Sequence, residues 1–271
     1  MDAKLQRRVQ RYGWDKAADA YERSWAKQLE PAQAMLLDMA VIAEGDRVLD
    51  VACGSGLVTF RAAARIGAEG QVIGTDISDQ MVATARESAS RQALTNVRFE
   101  RIDAEDLQFE DASFDIVLCA LGLMYVPDPE KALREFHRVL RPGGKAVAAV
   151  WGRRDKCGWA ELFPIVDARV QSEVCPMFFG LGTGSALQQA FEAVGFSACR
   201  SARLETQLLY RSDEEACEAA FLGGPVALAY DRFTEVVRGE ARQEYLGSIG
   251  PYRAEKGYAI PGEFVVTTGT K

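Results

Sequence analysis

Two acidic residues and a pair of glycines form the most chemically informative part of this sequence. Residues 47–56 read Arg-Val-Leu-Asp-Val-Ala-Cys-Gly-Ser-Gly, an apolar run that contains Asp50 and ends in a turn at Gly54 and Gly56. Glycines permit a sharp turn and let a ligand lie against the backbone. A second apolar run ends at Asp76, about 20 residues later, where many α/β sheets hold the ribose hydroxyls of a nucleoside. The pattern predicts a nucleoside-binding site.

The loop chemistry distinguishes between nucleoside ligands. Dinucleotide-binding loops contain a third glycine, and this sequence has Thr59 at that position. Asp50 would repel a pyrophosphate but would attract the ammonium and sulfonium charges of S-adenosylmethionine. The loop therefore favours S-adenosylmethionine as the cofactor, and a nicotinamide-dependent oxidoreductase is the disfavoured alternative.

Alternating strands and helices must position these residues. Apolar runs at 48–51, 72–75, 97–102, 114–119 and 145–151 alternate with helical patterns, which predicts a parallel, doubly wound α/β sheet. Ser78 is a predicted helix N-cap, and Arg141-Pro-Gly-Gly144 predicts a helix stop followed by a turn. Strands are also expected near 202–209 and at 262–268.

The rest of the chain surrounds this core. Aromatic residues near helical spacing predict N-terminal helices, with Pro31 starting the second one. Residues 152–184 break the periodicity and are interpreted as an insertion after strand five. We therefore predict a single domain over residues 1–271, with a helical cap at 1–42, a cofactor-binding core at 43–151, and a substrate-lid insertion with the C-terminal part of the sheet at 152–271.

Composition argues against several kinds of partner. The formal net charge of −7 does not suit nucleic acid or anionic membrane surfaces. The N-terminus lacks a signal-peptide core and no window reaches about 20 uninterrupted apolar residues, so we expect a cytoplasmic protein without a membrane span. Six dispersed cysteines and a single histidine argue against a structural metal site.

Six short motifs follow one another between residues 10 and 150. They are Tyr12-x-Trp-Asp-x-Ala-x-x-x-Tyr21, Val48-Leu-Asp-Val-Ala-Cys-Gly-Ser-Gly56, Gly74-Thr-Asp-Ile-Ser78, Asp103-Ala-Glu-Asp106, Phe114-Asp-Ile-Val117 and Arg138-Val-Leu-Arg-Pro-Gly-Gly144. Their order resembles the class I S-adenosylmethionine-dependent methyltransferases, in particular the menaquinone and ubiquinone biosynthesis branch. This resemblance implies a Rossmann-like, seven-stranded, mostly parallel sheet in which residues 263–268 form an inserted antiparallel strand.

The resemblance also implies roles for individual residues. Asp50 would lie near the ammonium group of the cofactor, Asp76 would bind the ribose hydroxyls, and Asp103 would accept from the adenine amino group. The full set of cofactor-binding residues implied in this way is Tyr12, Tyr21, Asp50, Ala52, Gly54, Gly56, Asp76, Ile77, Met81, Asp103, Ala104 and Cys119.

An acceptor pocket is expected beyond the carboxyl ends of the strands, between the N-terminal helices, the loop after strand four and the insertion. Its predicted wall is apolar and aromatic, although the same side chains would serve equally well to pack a lid. The predicted wall residues are Met124, Tyr125, Trp151, Trp159, Phe178 and Phe179. Arg153 and Arg154 could meet an acidic substituent of the acceptor. Tyr21 and Asp155 are the catalytic candidates, whereas His137 is expected away from the site.

The predicted function is transfer of a methyl group from S-adenosylmethionine to a small aromatic or apolar metabolite by in-line displacement. Whether oxygen, nitrogen or carbon accepts the methyl group stays open. One alternative is a thiol-dependent methyltransferase acting on a metalloid through Cys157, Cys175 and Cys199. Another is a non-catalytic cofactor-binding module. The N-terminal helices could form a lid or the face of a homodimer.

Overall fold

A seven-stranded sheet forms the core of the computed structural model, which describes residues 3–171, 175 and 177–271. The strands are β1 (Arg47–Val51), β2 (Gln71–Asp76), β3 (Val97–Arg101), β4 (Phe114–Ala120), β5 (Leu140–Trp151), β6 (Ser197–Tyr210) and β7 (Tyr258–Thr270). Their order in the sheet is β3-β2-β1-β4-β5-β7-β6. The first five strands pair in parallel, and β7 runs antiparallel between β5 and β6. The predicted fold class, including the inserted antiparallel last strand, is confirmed.

Helices connect and flank the strands. They are α1 (Ala3–Ala40), α2 (Leu57–Ile66), α3 (Asp79–Arg91), α4 (Pro129–Val139), α5 (Leu162–Asp167), α6 (Ala186–Ala193), α7 (Asp213–Phe221), α8 (Ala227–Asp231) and α9 (Glu235–Ile249). α1 contacts α3 and also α7 and α8, so it bridges the cofactor half and the C-terminal half of the chain. Among the described residues, no helix combines the length and the apolar character required to cross a membrane.

α1 is one continuous helix of 38 residues. The predicted start of a second helix at Pro31 is wrong, because Pro31 lies inside α1. A proline within a helix removes one backbone hydrogen bond and costs about 3 kcal/mol. Leu29, Leu36 and Leu37 are all buried in the main core on either side of the proline, and this packing holds the helix together across it.

The end of β2 leads directly into a capped helix. The Ser78 hydroxyl accepts a hydrogen bond from the Met81 backbone N–H at 3.1 Å, which confirms the predicted N-cap. The same hydroxyl donates to Asp15 Oδ1 at 2.7 Å, and Asp15 Oδ1 also accepts from the Gln80 N–H at 3.1 Å. These bonds attach α1 to the start of α3, beside the end of β2.

Two strands are longer than the sequence pattern predicts. β6 and β7 pair over nearly their whole length, from Ser197 opposite Thr270 to Tyr210 opposite Tyr258. Continuous backbone pairing therefore extends each strand beyond its apolar stretch. The predicted helix stop is confirmed because α4 ends at Val139. Arg141-Pro-Gly-Gly144 lies within the bounds of β5, but the pairing with β4 shifts register between Leu140 and Lys145, and Gly143 has a φ of 80°.

Candidate functional site

The glycine loop after β1 is shaped by three residues with positive φ. Ala52, Gly54 and Gly56 have φ values of 56°, 54° and 91°. A Cβ atom on Gly54 would lie 3.5 Å from Cε1 of Tyr21, so the loop backbone lies directly against that ring. A Cβ atom on Gly56 would lie 2.9 Å from the ring of Phe60, so this glycine makes room for the first turn of α2. The loop therefore presents bare backbone beside Tyr21.

Asp76 lies at the carboxyl end of β2 and is 7% exposed. Its Oδ2 accepts from the Gly54 N–H and its Oδ1 from the Ser78 N–H, both at 2.9 Å. Burial raises the pKa of this carboxyl to about 6, although the two backbone hydrogen bonds act in the opposite direction. Each carboxylate oxygen has a second lone pair, which leaves Asp76 able to accept from hydroxyl groups of a ligand.

Asp50 lies within β1 and is fully buried. Its Oδ2 accepts from the Thr59 hydroxyl at 2.6 Å, and its Oδ1 has no hydrogen-bond partner among the described residues. Burial raises the pKa of Asp50 to about 7, with a smaller contribution from the nearby Asp76. Thr59, the residue that replaces the third glycine of a dinucleotide loop, thus orients one oxygen of Asp50. The other oxygen is an acceptor without a donor, as a cationic ligand or its water would require.

These residues border a cleft of about 710 Å³ at the carboxyl ends of the strands. Eight of the twelve predicted cofactor residues line it, and they are Tyr21, Ala52, Gly54, Asp76, Ile77, Met81, Asp103 and Ala104. Asp50, Gly56 and Cys119 lie beneath the lining. Tyr12 faces away from it, since its side chain is 48% exposed and the Arg11 guanidinium lies 5.4 Å from the centre of its ring.

One face of α1 closes this cleft. Arg7, Gln10, Trp14 and Tyr21 all line it, and their spacing of three, four and seven residues places them on the same side of a helix. Of these four, only Tyr21 was predicted. The helical spacing is visible in the sequence, but the motif that begins at Tyr12 contains only Trp14 and Tyr21 of these four residues.

A charged group from α1 reaches the predicted adenine end of the cleft. Arg7 forms an ion pair with Asp103 at 3.2 Å and also donates hydrogen bonds to Glu105. Glu105 is 1% exposed and accepts from the Asp128 N–H at 2.6 Å. Burial raises the pKa of Asp103, while Arg7 acts in the opposite direction. Arg7 therefore connects α1 to the residues after β3.

The end of β4 forms the opposite wall. Ala120, Leu121 and Gly122 line the cleft, while Cys119 is 1% exposed beneath them. A Cβ atom on Gly122 would lie only 2.3 Å from Cβ of Ala52. Only glycine therefore lets the loop after β4 approach the loop after β1 this closely.

A second cavity of about 430 Å³ adjoins the cleft. Five of the six predicted acceptor-pocket residues line it, and they are Met124, Tyr125, Trp151, Trp159 and Phe178. Phe179 lies behind this lining, with its ring centre 4.8 Å from that of Phe178. Trp14, Tyr21, Leu121 and Tyr125 line the cleft and this cavity alike, so they form a shared wall.

The other chemical candidates lie outside both spaces. Asp155 pairs with Arg153 at 2.6 Å in a surface groove, and the side chain of Asp155 is 61% exposed. Arg154 pairs with Glu161 at 3.1 Å in the same groove. His137 packs against Phe196 with ring centres 5.1 Å apart. Among the residues that the structure describes, no cluster of His, Cys, Asp and Glu could hold a metal ion.

The fold and this site are similar to those of class I S-adenosylmethionine-dependent methyltransferases. Residues 42–163 match a family described as a methyltransferase domain. The chain is 42% identical over 112 residues to a ubiquinone/menaquinone biosynthesis C-methyltransferase of Idiomarina loihiensis, which is 41% of this chain and 45% of that protein. It is 33% identical over 132 residues to the aklanonic acid methyltransferase of Streptomyces sp. (strain C5), or 49% of this chain and 60% of that protein. The chain spans about half the length of the curated relatives it matches.

The fold is shared with solved structures at low sequence identity. Phosphoethanolamine N-methyltransferase 2 of Haemonchus contortus, solved with S-adenosyl-L-methionine, superposes with a TM-score of 0.62 at 19% identity. The match covers 95% of this chain and 57% of that one. The similarity thus extends beyond residues 42–163 to nearly the whole fold.

Proposed function

We propose that this protein transfers the methyl group of S-adenosylmethionine to a small aromatic or apolar metabolite. The observation that carries this proposal is the shared wall of Trp14, Tyr21, Leu121 and Tyr125. It separates an acid-lined cleft suited to a nucleoside cation from an aromatic cavity suited to an apolar ring. A methyl group bound at this wall would face an acceptor in the adjoining cavity.

The residues of the cleft fit the chemical parts of the cofactor. Asp76 can accept from ribose hydroxyls, and Asp103 with Ala104 can hold the adenine edge. The unpartnered Oδ1 of Asp50 provides an acceptor for the ammonium group or its water. Gly54 lets the methionine portion lie against the backbone. The donor set therefore suits S-adenosylmethionine.

When bound, S-adenosylmethionine supplies a methyl group that its sulfonium already activates. The protein must then hold acceptor, methyl and sulfur in line about 3 Å apart and exclude water. α1 and the aromatic wall perform this task, because Trp14 packs edge-on against both Tyr21 and Tyr125, with ring centres 5.7 and 5.2 Å apart. The wall thus positions two substrates with rigid side chains from different elements.

The lining of the second cavity supports an aromatic acceptor. Trp151 and Trp159 pack with ring centres 4.8 Å apart, and Phe178 packs edge-on against Trp159 at 5.6 Å. Offset and edge-to-face contacts of this kind also favour binding of an aromatic ring. The names of the two relatives, which refer to quinone biosynthesis and to aklanonic acid, are consistent with such an acceptor.

The two alternative functions have less support. Cys157 is 3% exposed, and burial raises its pKa to about 12, as it does for Cys175. Thiols of this kind are poor ligands for a metalloid because the thiolate is the binding form. A non-catalytic module would not need the second cavity at the shared wall.

Calorimetric titration with S-adenosylmethionine and, separately, with NADH tests the proposal. We expect micromolar binding of S-adenosylmethionine that weakens about 10- to 150-fold in Asp76→Ala, as for loss of a hydrogen bond to a charged group. The control is Asp155→Ala, which removes an exposed carboxylate and should leave this affinity unchanged. Binding of NADH without binding of S-adenosylmethionine would overturn the proposal.

A further inference from the structure

Two tyrosine side chains line both the cleft and the second cavity. Tyr21 comes from α1 and Tyr125 from the short 3-10 turn after β4, and both side chains line both spaces. Neither hydroxyl forms a hydrogen bond with another described residue, although both side chains are mostly covered. Each hydroxyl can therefore donate to, and accept from, a ligand or a water.

The surroundings of both hydroxyls keep them protonated. Burial raises the pKa of Tyr21 far above its ordinary value, and the groups that face it add to this effect; they are Asp76, Asp50, Cys53 and Glu22. Burial likewise raises the pKa of Tyr125, which faces Cys175 and Tyr21. At neutral pH both tyrosines are therefore hydrogen-bond donors, and Tyr21 cannot act as the phenolate base.

The rest of the second cavity is largely apolar, and its buried polar exception is the indole N–H of Trp159, which has no hydrogen-bond partner among the described residues. Apart from the two tyrosines, its described lining contains tryptophan, leucine, methionine, phenylalanine, alanine, glycine and proline side chains. Among the described lining residues, the hydroxyl groups that could donate to an acceptor oxygen are those of Tyr21 and Tyr125. Both residues belong to the shared wall, next to the position proposed for the methyl group. An anionic oxygen gains most from such donors, because hydrogen bonds to charged groups are about twice as strong as neutral ones.

Building on the proposed function, we propose that Tyr21 and Tyr125 together bind one anionic oxygen of the acceptor, and that the acceptor is an aromatic enolate or phenolate. The lone pair of this anion forms the bond to the methyl carbon, while the carbon–sulfur bond breaks and leaves its electron pair on sulfur. The negative charge of the acceptor and the positive charge of the sulfonium cancel. The tyrosines hold the anion in line and remain protonated throughout.

The tryptophans of the chain provide a direct readout. All four, Trp14, Trp25, Trp151 and Trp159, line the second cavity. We would titrate the protein, saturated with S-adenosylhomocysteine, with 4-hydroxycoumarin, which is an enolate at neutral pH, and with coumarin, which lacks the enol. Quenching of tryptophan fluorescence reports binding of each probe.

The expected result is that 4-hydroxycoumarin binds at least about 10-fold more tightly than coumarin, as for one hydrogen bond to a charged group. Tyr21→Phe and Tyr125→Phe should each remove most of this preference without changing the affinity for coumarin. Tyr252→Phe, in the surface groove, is the matched control and should retain the preference. The preference should also fall when the pH is lowered enough to protonate the probe.

Equal affinity for the two probes, or a preference that survives in both phenylalanine variants, would overturn this inference alone. Calorimetry on the same samples measures binding of S-adenosylhomocysteine separately. Failure of S-adenosylhomocysteine to bind would instead contradict the proposed function, and this inference with it.

Discussion

The backbone N–H of Gly54 donates a hydrogen bond to Oδ2 of Asp76 at 2.9 Å. This bond joins the loop after β1 to the carboxyl end of β2, where two neighbouring parallel strands open into the cleft. It fixes the loop backbone and orients the carboxylate at the same time. Changes at either residue should therefore affect cofactor binding more than folding.

Gly54→Ala should weaken binding of S-adenosylmethionine about 10-fold. Gly54 has a φ of 54°, and its Cβ position lies 3.5 Å from the Tyr21 ring, so a methyl group would occupy the ligand side of the loop. The backbone strain alone should cost about 1 kcal/mol of unfolding free energy. The measurements are calorimetric titration and denaturant unfolding.

Gly143→Ala is the matched control for this change. Its φ is 80°, and a Cβ atom there would meet nothing within 4 Å. It should lose similar stability while leaving cofactor affinity unchanged. Equal affinities of Gly54→Ala and the unsubstituted protein would contradict the placement of the cofactor against Gly54.

Binding of S-adenosylmethionine should release protons near neutral pH. Without cofactor, burial holds the pKa of Asp50 at about 7 and that of Asp76 at about 6. A nearby cation and donated hydrogen bonds favour the charged carboxylates and lower both pKa values. Calorimetry in buffers of different ionisation enthalpy should show proton release on binding at a pH between the two pKa values. The number of protons released should be smaller in Asp50→Asn. Proton uptake on binding would contradict this assignment.

The same pKa values determine how the stability of the cofactor-free protein depends on pH. Both lie above the ordinary carboxyl value near 4, so the folded protein holds more protons than the unfolded chain from about pH 4 to about pH 7. The contribution of these groups to unfolding free energy should therefore fall as the pH rises through this window. In urea unfolding, Asp50→Asn should make the unfolding free energy depend less on pH. The same pH dependence in Asp50→Asn and the unsubstituted protein would contradict the raised pKa of Asp50.

Arg7→Ala should loosen the first turns of α1. The change removes the ion pair with Asp103 and leaves the buried Glu105 carboxylate with the Asp128 N–H as its remaining described partner. We expect a loss of roughly 1–3 kcal/mol in unfolding free energy, because a buried charge loses its partner. Hydrogen exchange should show faster opening at the start of α1.

Arg11→Ala serves as the control for Arg7→Ala, since Arg11 pairs with the exposed Asp79. Exposed ion pairs contribute about 0–1 kcal/mol, so this variant should remain close to the unsubstituted protein. Equal losses of unfolding free energy in Arg7→Ala and Arg11→Ala would show that the bond to the buried Glu105 does not hold the first turns of α1 in place.

Local sequence patterns predict much of this fold. The Ser78 cap and the alternation of strands and helices depend on neighbouring residues. The inserted, antiparallel position of residues 263–268 follows instead from the family resemblance. Local propensity favours a helix start at Pro31, whereas burial of Leu29, Leu36 and Leu37 on either side of it keeps α1 continuous. Tertiary packing of this kind is not visible in a short window.

The cleft residues on α1 show the same limit. Arg7 donates a hydrogen bond to Glu105, which is 98 residues away in the sequence. Trp14 packs edge-on against Tyr125, which comes from the other side of the cleft. The helical spacing groups Arg7, Gln10, Trp14 and Tyr21, but nothing local indicates which face of α1 meets the sheet. The glycine loop, by contrast, is recognisable because its turn depends on the backbone freedom of adjacent residues.

A crystal structure with bound S-adenosylhomocysteine tests the central claim most directly. The account predicts that the ribose hydroxyls lie against Asp76 and that the thioether sulfur lies at the wall of Trp14, Tyr21, Leu121 and Tyr125, facing the aromatic cavity. A sulfur atom directed away from that wall, or a ligand bound outside the cleft, would contradict methyl transfer into this cavity.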